Sequence, residues 1–279
     1  MPVISTNNAA NASLNYLNNN SGKETELLSQ LASGSRIVQA SDDAAGLAIG
    51  TQLDAQATVF TQDQTNIQQG TAILQTADGA LAQISNVLQR MMALATEAAS
   101  GQVTNNQRTQ DINTEYSQLK TELSSIANST TYAGQKLLSG SFLSNVKFLV
   151  GTASANVLTI SVNSVSIALT GAGGLLQSGS TVSSATTALA SINAISSAIN
   201  TITEDRAKVG AYESQFNFSG QDIATNIQST TAAASVVMDA DVASVKAMLS
   251  STDVKTQAAV AALTQAAQLP TELLRLIQS

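Results

Sequence analysis

Apolar residues recur along this chain mainly at a spacing of seven. Ile67, Leu74, Leu81, Leu88 and Ala95 form one such row, and Ala77, Ile84 and Met91 run beside it three residues on. A doubled row sustained over four heptads is the seam of a long helix packed on other helices, with Gly70 as its weak position. Ser41-Asp42-Asp43 supplies the capping and first-turn chemistry to start this helix, and Ser100-Gly101 is predicted to end it through a left-handed glycine cap. A second helix is predicted through Ile112, Tyr116, Leu119, Leu123 and Ile126, spaced alternately by four and three, and stopping before Thr131-Tyr132-Ala133-Gly134. A third carries Ile195, Ile202, Val209, Phe216 and Ile223, again by sevens; Arg206 and Glu213 interrupt its companion row and narrow its seam. Such stripes are buried only against one another, so the late helix must pack back on the early ones.

Between these helices the period changes. Leu158, Ile160 and Val162 alternate with Val157, Thr159 and Ser161, the pattern of a half-buried strand. Val146–Val150 and Val165–Leu169 are neighbouring strand candidates, and Gly171-Ala172-Gly173-Gly174 reads as a loop. The outermost segments differ again. Ala258, Ala259, Ala261, Ala262, Ala266 and Ala267 give the C-terminal stretch a shallow apolar surface, and Leu14, Leu17, Leu27, Leu28 and Leu31 give the N-terminal stretch a partial stripe. Helices of this kind are marginal until a partner covers them. The fold class that follows is mainly α: a long antiparallel helical bundle or coiled coil drawn from both chain ends, with a small central β element.

Composition narrows the chemistry. The 279 residues contain no histidine and no cysteine, which removes the usual neutral-pH base, the commonest metal ligand, disulfides and thiolate nucleophiles. The abundant serines therefore lack a conventional activating base, and no catalytic, cofactor or metal site is expected. A net charge of −7 with no Lys/Arg cluster argues against nucleic acid. There is no run of about 18 apolar residues to insert in a membrane, and the first twenty residues do not form a signal peptide. Prolines occur only at Pro2 and Pro270, so long helices are unobstructed. Asp42-Asp43 reads as helix capping rather than a metal or acid pair, and Asp239 with Asp241 offer too few ligands for a cation.

Several motifs point further. Leu31-Ala32-Ser33-Gly34-Ser35-Arg36-Ile37 is followed by Ser41-Asp42-Asp43-Ala44-Ala45-Gly46-Leu47-Ala48-Ile49. Then come Leu74-Gln75-Thr76-Ala77-Asp78-Gly79-Ala80-Leu81, Leu88-Gln89-Arg90 and Tyr132-Ala133-Gly134-Gln135-Lys136-Leu137-Leu138. Near the other end stand Met238-Asp239-Ala240-Asp241 and Gln265-Ala266-Ala267-Gln268-Leu269-Pro270, leading to Leu273-Leu274. Together they resemble the bacterial flagellins over residues 1–140 and 188–279. The resemblance implies a short flagellin that self-assembles into the flagellar filament for swimming. Residues 1–40 and 231–279 would pair as the inner D0 helices, and 41–140 with 188–230 would form the D1 core. Residues 141–187 would be a small β section of D1 or a rudimentary outer domain. It also implies an extracellular homopolymer, exported through the flagellar type III route without a cleaved signal peptide, and helped by an export chaperone, cap and junction proteins.

The residues expected at subunit contacts are Leu14, Leu17, Leu28, Leu31, Arg36, Asp42, Asp43, Arg90, Leu269, Leu273, Leu274 and Leu276. Flagellins sensed by the vertebrate Toll-like receptor carry a D1 patch that Arg90, Leu94 and Glu115 match in position. Met92 and Ala93 stand where those flagellins are charged, which argues against recognition and favours an inter-subunit role for Arg90. Two alternatives to a filament subunit are a hook–filament junction protein and a surface adhesin or lectin. The signature around Ser33–Arg36 and Asp42–Gly46 favours the filament subunit over the junction protein. Against the lectin, the β section offers only Phe142 and Phe148 as aromatic platforms.

Overall fold

The computed structural model describes residues 7–139, 143, 145–151, 156–161 and 181–278; within 269–278 it describes the side chains of Pro270 and Arg275 alone. Helix α1 (Asn8–Ser33) starts at Asn7, whose side chain accepts from the Ala10 N–H, and stops at Gly34, held at φ 72°. Glycine takes that left-handed conformation without a Cβ penalty, and its N–H returns to the Gln30 carbonyl. Helix α2 (Ala44–Ala99) starts at Asp43, whose Oδ1 accepts the Gly46 N–H at 2.8 Å. A π-helical turn, Gln107–Ile112, leads into α3 (Asn113–Ser129). Two small antiparallel sheets follow: β1 (Thr131–Tyr132) with β2 (Gln135–Lys136), and β3 (Val146–Leu149) with β4 (Val157–Ile160). Helices α4 (Ala185–Met238) and α5 (Val242–Gln278, with Pro270 inside it) complete the described chain.

The chain divides into a terminal unit, drawn from residues up to 56 and from 229 onward, and a central unit of residues 57–228. The core lies in the central unit, where 27 buried apolar residues from α2, α3, α4 and the β elements form one cluster. The heptad residues Leu74, Leu81, Leu88, Ala77, Ile84 and Met91 are fully buried there, as are Ile195, Val209 and Phe216. Arg206 pairs with Asp78, a Cβ on Gly70 would meet the Phe216 ring, and Gly220 lies against Ile67. Those pairs fix α2 and α4 as antiparallel neighbours. In the β3–β4 hairpin Phe148 faces Leu158, and the Phe148 ring meets Phe216 edge-on at 5.3 Å. Leu158 and Ile160 are buried while Val157 and Thr159 are exposed, the alternation expected for a half-buried strand. Val162, the candidate strand Val165–Leu169, the Gly171–Gly174 loop and Phe142 lie outside the described residues.

Four local expectations need correction. Gly70 is not a weak point: its missing Cβ makes the seat for Phe216, since a Cβ there would lie 2.5 Å from the ring. The companion row of α4 is Ala198, Asp205 and Tyr212, not the row through Arg206 and Glu213. Arg206 instead lies outside the seam and grips Asp78 with two nitrogens, at 2.8 and 3.2 Å. Gly101 does not adopt positive φ, so the left-handed cap predicted at the end of α2 is absent. Finally, Thr131-Tyr132-Ala133-Gly134 is more than a helix stop: it forms a hairpin with Thr131 opposite Lys136 and Tyr132 opposite Gln135.

That hairpin turns on Ala133 at φ 48° and Gly134 at φ 80°, and both central positions of such a turn demand positive φ. Glycine suits the second position, whereas alanine is strained at the first because its Cβ crowds the backbone. Asparagine tolerates this conformation. Ala133→Asn should therefore raise stability by about 0.5–1 kcal/mol, read as a higher urea midpoint at unchanged slope.

Candidate functional site

The terminal unit holds most of the residues expected at contacts. Its helices α1 and α5 run antiparallel: Asn7 Nδ2 donates to the Ala266 carbonyl at one end, and Ala240 N donates to the Gly34 carbonyl at the other. Between those ties the buried apolar cluster is small. It consists of Leu27, Val245 and Leu249, with Leu31 and Ala240 packed beside it. Leu17 and Leu31 are half-buried, while Leu14 and Leu28 are exposed, at 41% and 48%. Tyr16, Val242, Met248, Val254 and Val260 are exposed on the same two helices. Both helices thus carry apolar side chains that the chain itself does not cover. The side chains of Leu269, Leu273, Leu274 and Leu276 lie outside the described set.

Charged candidates in the 34–43 segment are engaged within the chain. Arg36 Nε and Nη2 both donate to the Val237 carbonyl, at 3.2 and 3.0 Å, and the Arg36 N–H donates to the Met238 carbonyl. The guanidinium therefore caps the negative end of α4. It also pairs with Asp43 at 3.2 Å. The Asp43 carboxyl is held below its ordinary range, first by the Gly46 N–H and then by Arg36. Asp42 does not cap the helix; its Oδ2 accepts the N–H groups of Val38 and Gln39 and closes the preceding turn. Ser35 Oγ donates to the Met238 carbonyl, and Ser35 pairs with Asp239 in a β-bridge. Residues 34–43 are thereby tied to the turn that joins α4 to α5.

In the central unit Arg90 and Glu115 join α2 to α3 through a 2.7 Å ion pair. Leu94 does not share their surface. It is 3% exposed, so a patch built on all three side chains is not presented by the folded chain.

Two residues missed by the sequence reading stand out. Arg108, in the π-helical turn, is 7% exposed and takes the place of the absent glycine cap. Its Nε donates to the Ala98 carbonyl (2.6 Å), its Nη2 to the Ser100 and Val103 carbonyls (both 3.1 Å), and its Nη1 to Asn105 Oδ1 (2.9 Å). A cation at this end is favoured by the unpaired carbonyls that carry the negative end of the helix dipole. The second is Asp63, a carboxyl at a seam position four residues before Ile67. Counting the seam backward would have found Asp63, but nothing local marks Arg108, because its acceptors depend on where α2 stops.

Among the described residues no group of three or more acidic side chains is placed to hold a metal, and no helix is long and apolar enough to cross a membrane. Arg36, Arg90, Arg108 and Arg206 cap helices or cross-link them. Such a chain is a mainly helical protein with small antiparallel sheets. Its residues 4–142 match the family model of the bacterial flagellin N-terminal helical region, and residues 192–277 match that of the bacterial flagellin C-terminal helical region. A flagellin of Listeria monocytogenes is 32% identical, with 99% of each chain covered. One of Bacillus subtilis is 29% identical at the same coverage. A flagellar hook-associated protein structure from Vibrio parahaemolyticus covers 70% of this chain and 99% of its own, with 17% identity and a TM-score of 0.61, a likeness of fold alone. The chain belongs to the bacterial flagellin family. Its role is that of a structural subunit of the extracellular flagellar filament, and it is not an enzyme.

Proposed function

We propose that polymerisation completes the fold of this subunit. Residues 1–40 and 231–279 would form the inner, D0-type helices of the filament, and residues 41–140 with 188–230 a D1-type core. The observation that carries this reading is a contrast in cores among the described residues: the cluster between α1 and α5 holds Leu27, Val245 and Leu249, with Ala259 and Ala266 buried farther along α5, while 27 apolar residues form the central cluster. A helix pair so thinly packed gains little to offset the entropy of ordering its residues, unless neighbours cover its exposed apolar side chains. Leu14, Leu28, Val254 and Val260 are the contacts such neighbours would cover; Leu269, Leu273, Leu274 and Leu276 are further candidates from the sequence alone. Arg36, Asp42 and Asp43 would act by fixing the 34–43 segment against the junction of α4 and α5, and Arg90 by an exposed contact beside its pair with Glu115. An incompletely ordered monomer also suits passage through the flagellar type III route, with a chaperone guarding the C-terminal helix and cap and junction proteins meeting the polymer's ends.

Circular dichroism on monomer and polymer of the full chain tests the proposal. Helical signal should rise on assembly, and depolymerisation should reverse the change; equal helicity in both states would overturn coupled folding. Leu274→Asp should reduce polymer yield at least tenfold, because an unpaired carboxylate in a dry helix contact costs several kcal/mol. The unfolding midpoint of the central unit should stay where it is.

A further inference from the structure

The seam between α2 and α4 contains two carboxyl groups at core positions. Asp205 is fully buried but has the Lys208 ammonium 3.3 Å away. Asp63 is different: it is 1% exposed, and among the described residues no donor meets its Oδ2. Phe60 and Ile67 lie one turn to either side of it on α2, both packed with the central cluster. The antiparallel register set by Gly70 against Phe216 and Ile67 against Gly220 brings Ile223 and Ile227 of α4 to its level. The end of β3 is also close, since Asn66 Nδ2 donates to the Leu149 carbonyl at 3.4 Å.

Among the described residues no charged group is placed to compensate it. On α2 the nearest charged residues are Asp54 and Asp78, nine and fifteen positions away. The facing stretch of α4 offers only Asp222, which is exposed and accepts from Asn226, and the hairpin offers only Lys147, which is exposed. Burial alone acts on the Asp63 carboxyl, and it raises the pKa.

We propose that Asp63 makes this part of the α2–α4 seam a proton-controlled contact, closed while the carboxyl carries its proton and loosened when it ionises. A protonated carboxyl fits an apolar seam at modest cost, whereas an ionised one without partners has to recover solvent. The sign of the effect is opposite to that at Asp43. A carboxyl whose folded pKa is raised contributes stability that is present below its unfolded pKa and lost as pH rises through its folded pKa. Acid therefore tightens the seam at Asp63, while it weakens the Arg36–Asp43 pair, where the carboxyl pKa is lowered.

The test uses the full chain as monomer, following the carboxyl ¹³C resonance of Asp63 and amide hydrogen exchange over residues 59–70 as pH is varied. The Asp63 resonance should titrate at higher pH than those of the exposed aspartates. Between the titration of the exposed aspartates and that of Asp63, exchange protection corrected for intrinsic rates should fall, approaching about tenfold per pH unit, and it should level off above the Asp63 titration. In Asp63→Asn, which stays neutral, protection should be flat across the same range; Asp63→Ala serves as a second neutral variant should the asparagine disturb folding. Titration of Asp63 together with the exposed aspartates, or an equal pH dependence in the neutral variants, would overturn the proposal.

Discussion

A chain ending at Ala240 is expected to keep the cooperative unfolding of residues 57–228 and to lose polymerisation altogether. The cut removes α5 and with it Val245 and Leu249, leaving Leu27 as the one remaining member of the terminal unit's buried cluster. None of the residues of the central cluster is removed, because all of them lie between Ile67 and Ile223. Thermal unfolding followed by circular dichroism should show a midpoint within a few degrees of the full chain's, since about 1 kcal/mol moves a domain of this size by only about 2–4 °C. The helical amplitude should fall by more than the deleted residues supply in the monomer only if α1 was held by α5. Light scattering and electron microscopy under polymerising conditions should find no filaments. Filaments from the shortened chain would show that the thin helix pair is not the assembly element, and that the exposed surface of the central unit is.

The legible part of this fold was the part written in repeated spacing. Leu74, Leu81 and Leu88 mark the α2 seam because a helix presents every seventh residue to nearly the same side, and their burial needs no knowledge of the partner's identity. Leu158 and Ile160 were legible through the strand period in the same way. Features that depend on a distant partner were not. Gly70 is a gap in a row when read alone, and becomes a socket only once the Phe216 ring is brought against it from α4. Ala133 and Gly134 look like the end of a helix, because a two-residue strand on either side is too short to show a period.

The candidate contacts divide along the same line. Leu14 and Leu28 were read from an incomplete stripe and are indeed left exposed by the folded chain. Arg36, also a contact candidate, keeps its side chain half exposed while donating to Val237 and Asp43, partners that no local pattern connects to it. Leu94 carried its expectation through matching position alone, and its burial follows from packing that neither named heptad row includes.

Replacement of Arg108 by methionine is expected to cost the central unit about 3 kcal/mol, the upper end of what one hydrogen-bonded buried charge contributes. The side chain is nearly buried and spends four donor contacts on three main-chain carbonyls and Asn105. Methionine matches the length of the arginine stem but supplies no donor, so the carbonyls of Ala98, Ser100 and Val103 lose their partner together at the point where α2 ends. The Val103 N–H reaches the Ser100 carbonyl at 3.5 Å, but Gly101 does not take the left-handed conformation that would cap the helix end more fully. Arg108→Lys should recover only part of the loss, since a single ammonium cannot span acceptors arranged for a planar fork. Both variants should lower the thermal midpoint of the central transition, by roughly 6–12 °C for methionine and less for lysine. Exchange of the last α2 amides should accelerate before that of amides near Leu81. Equal midpoints in all three proteins would mean that α2 is terminated by packing alone and that Arg108 is incidental to it.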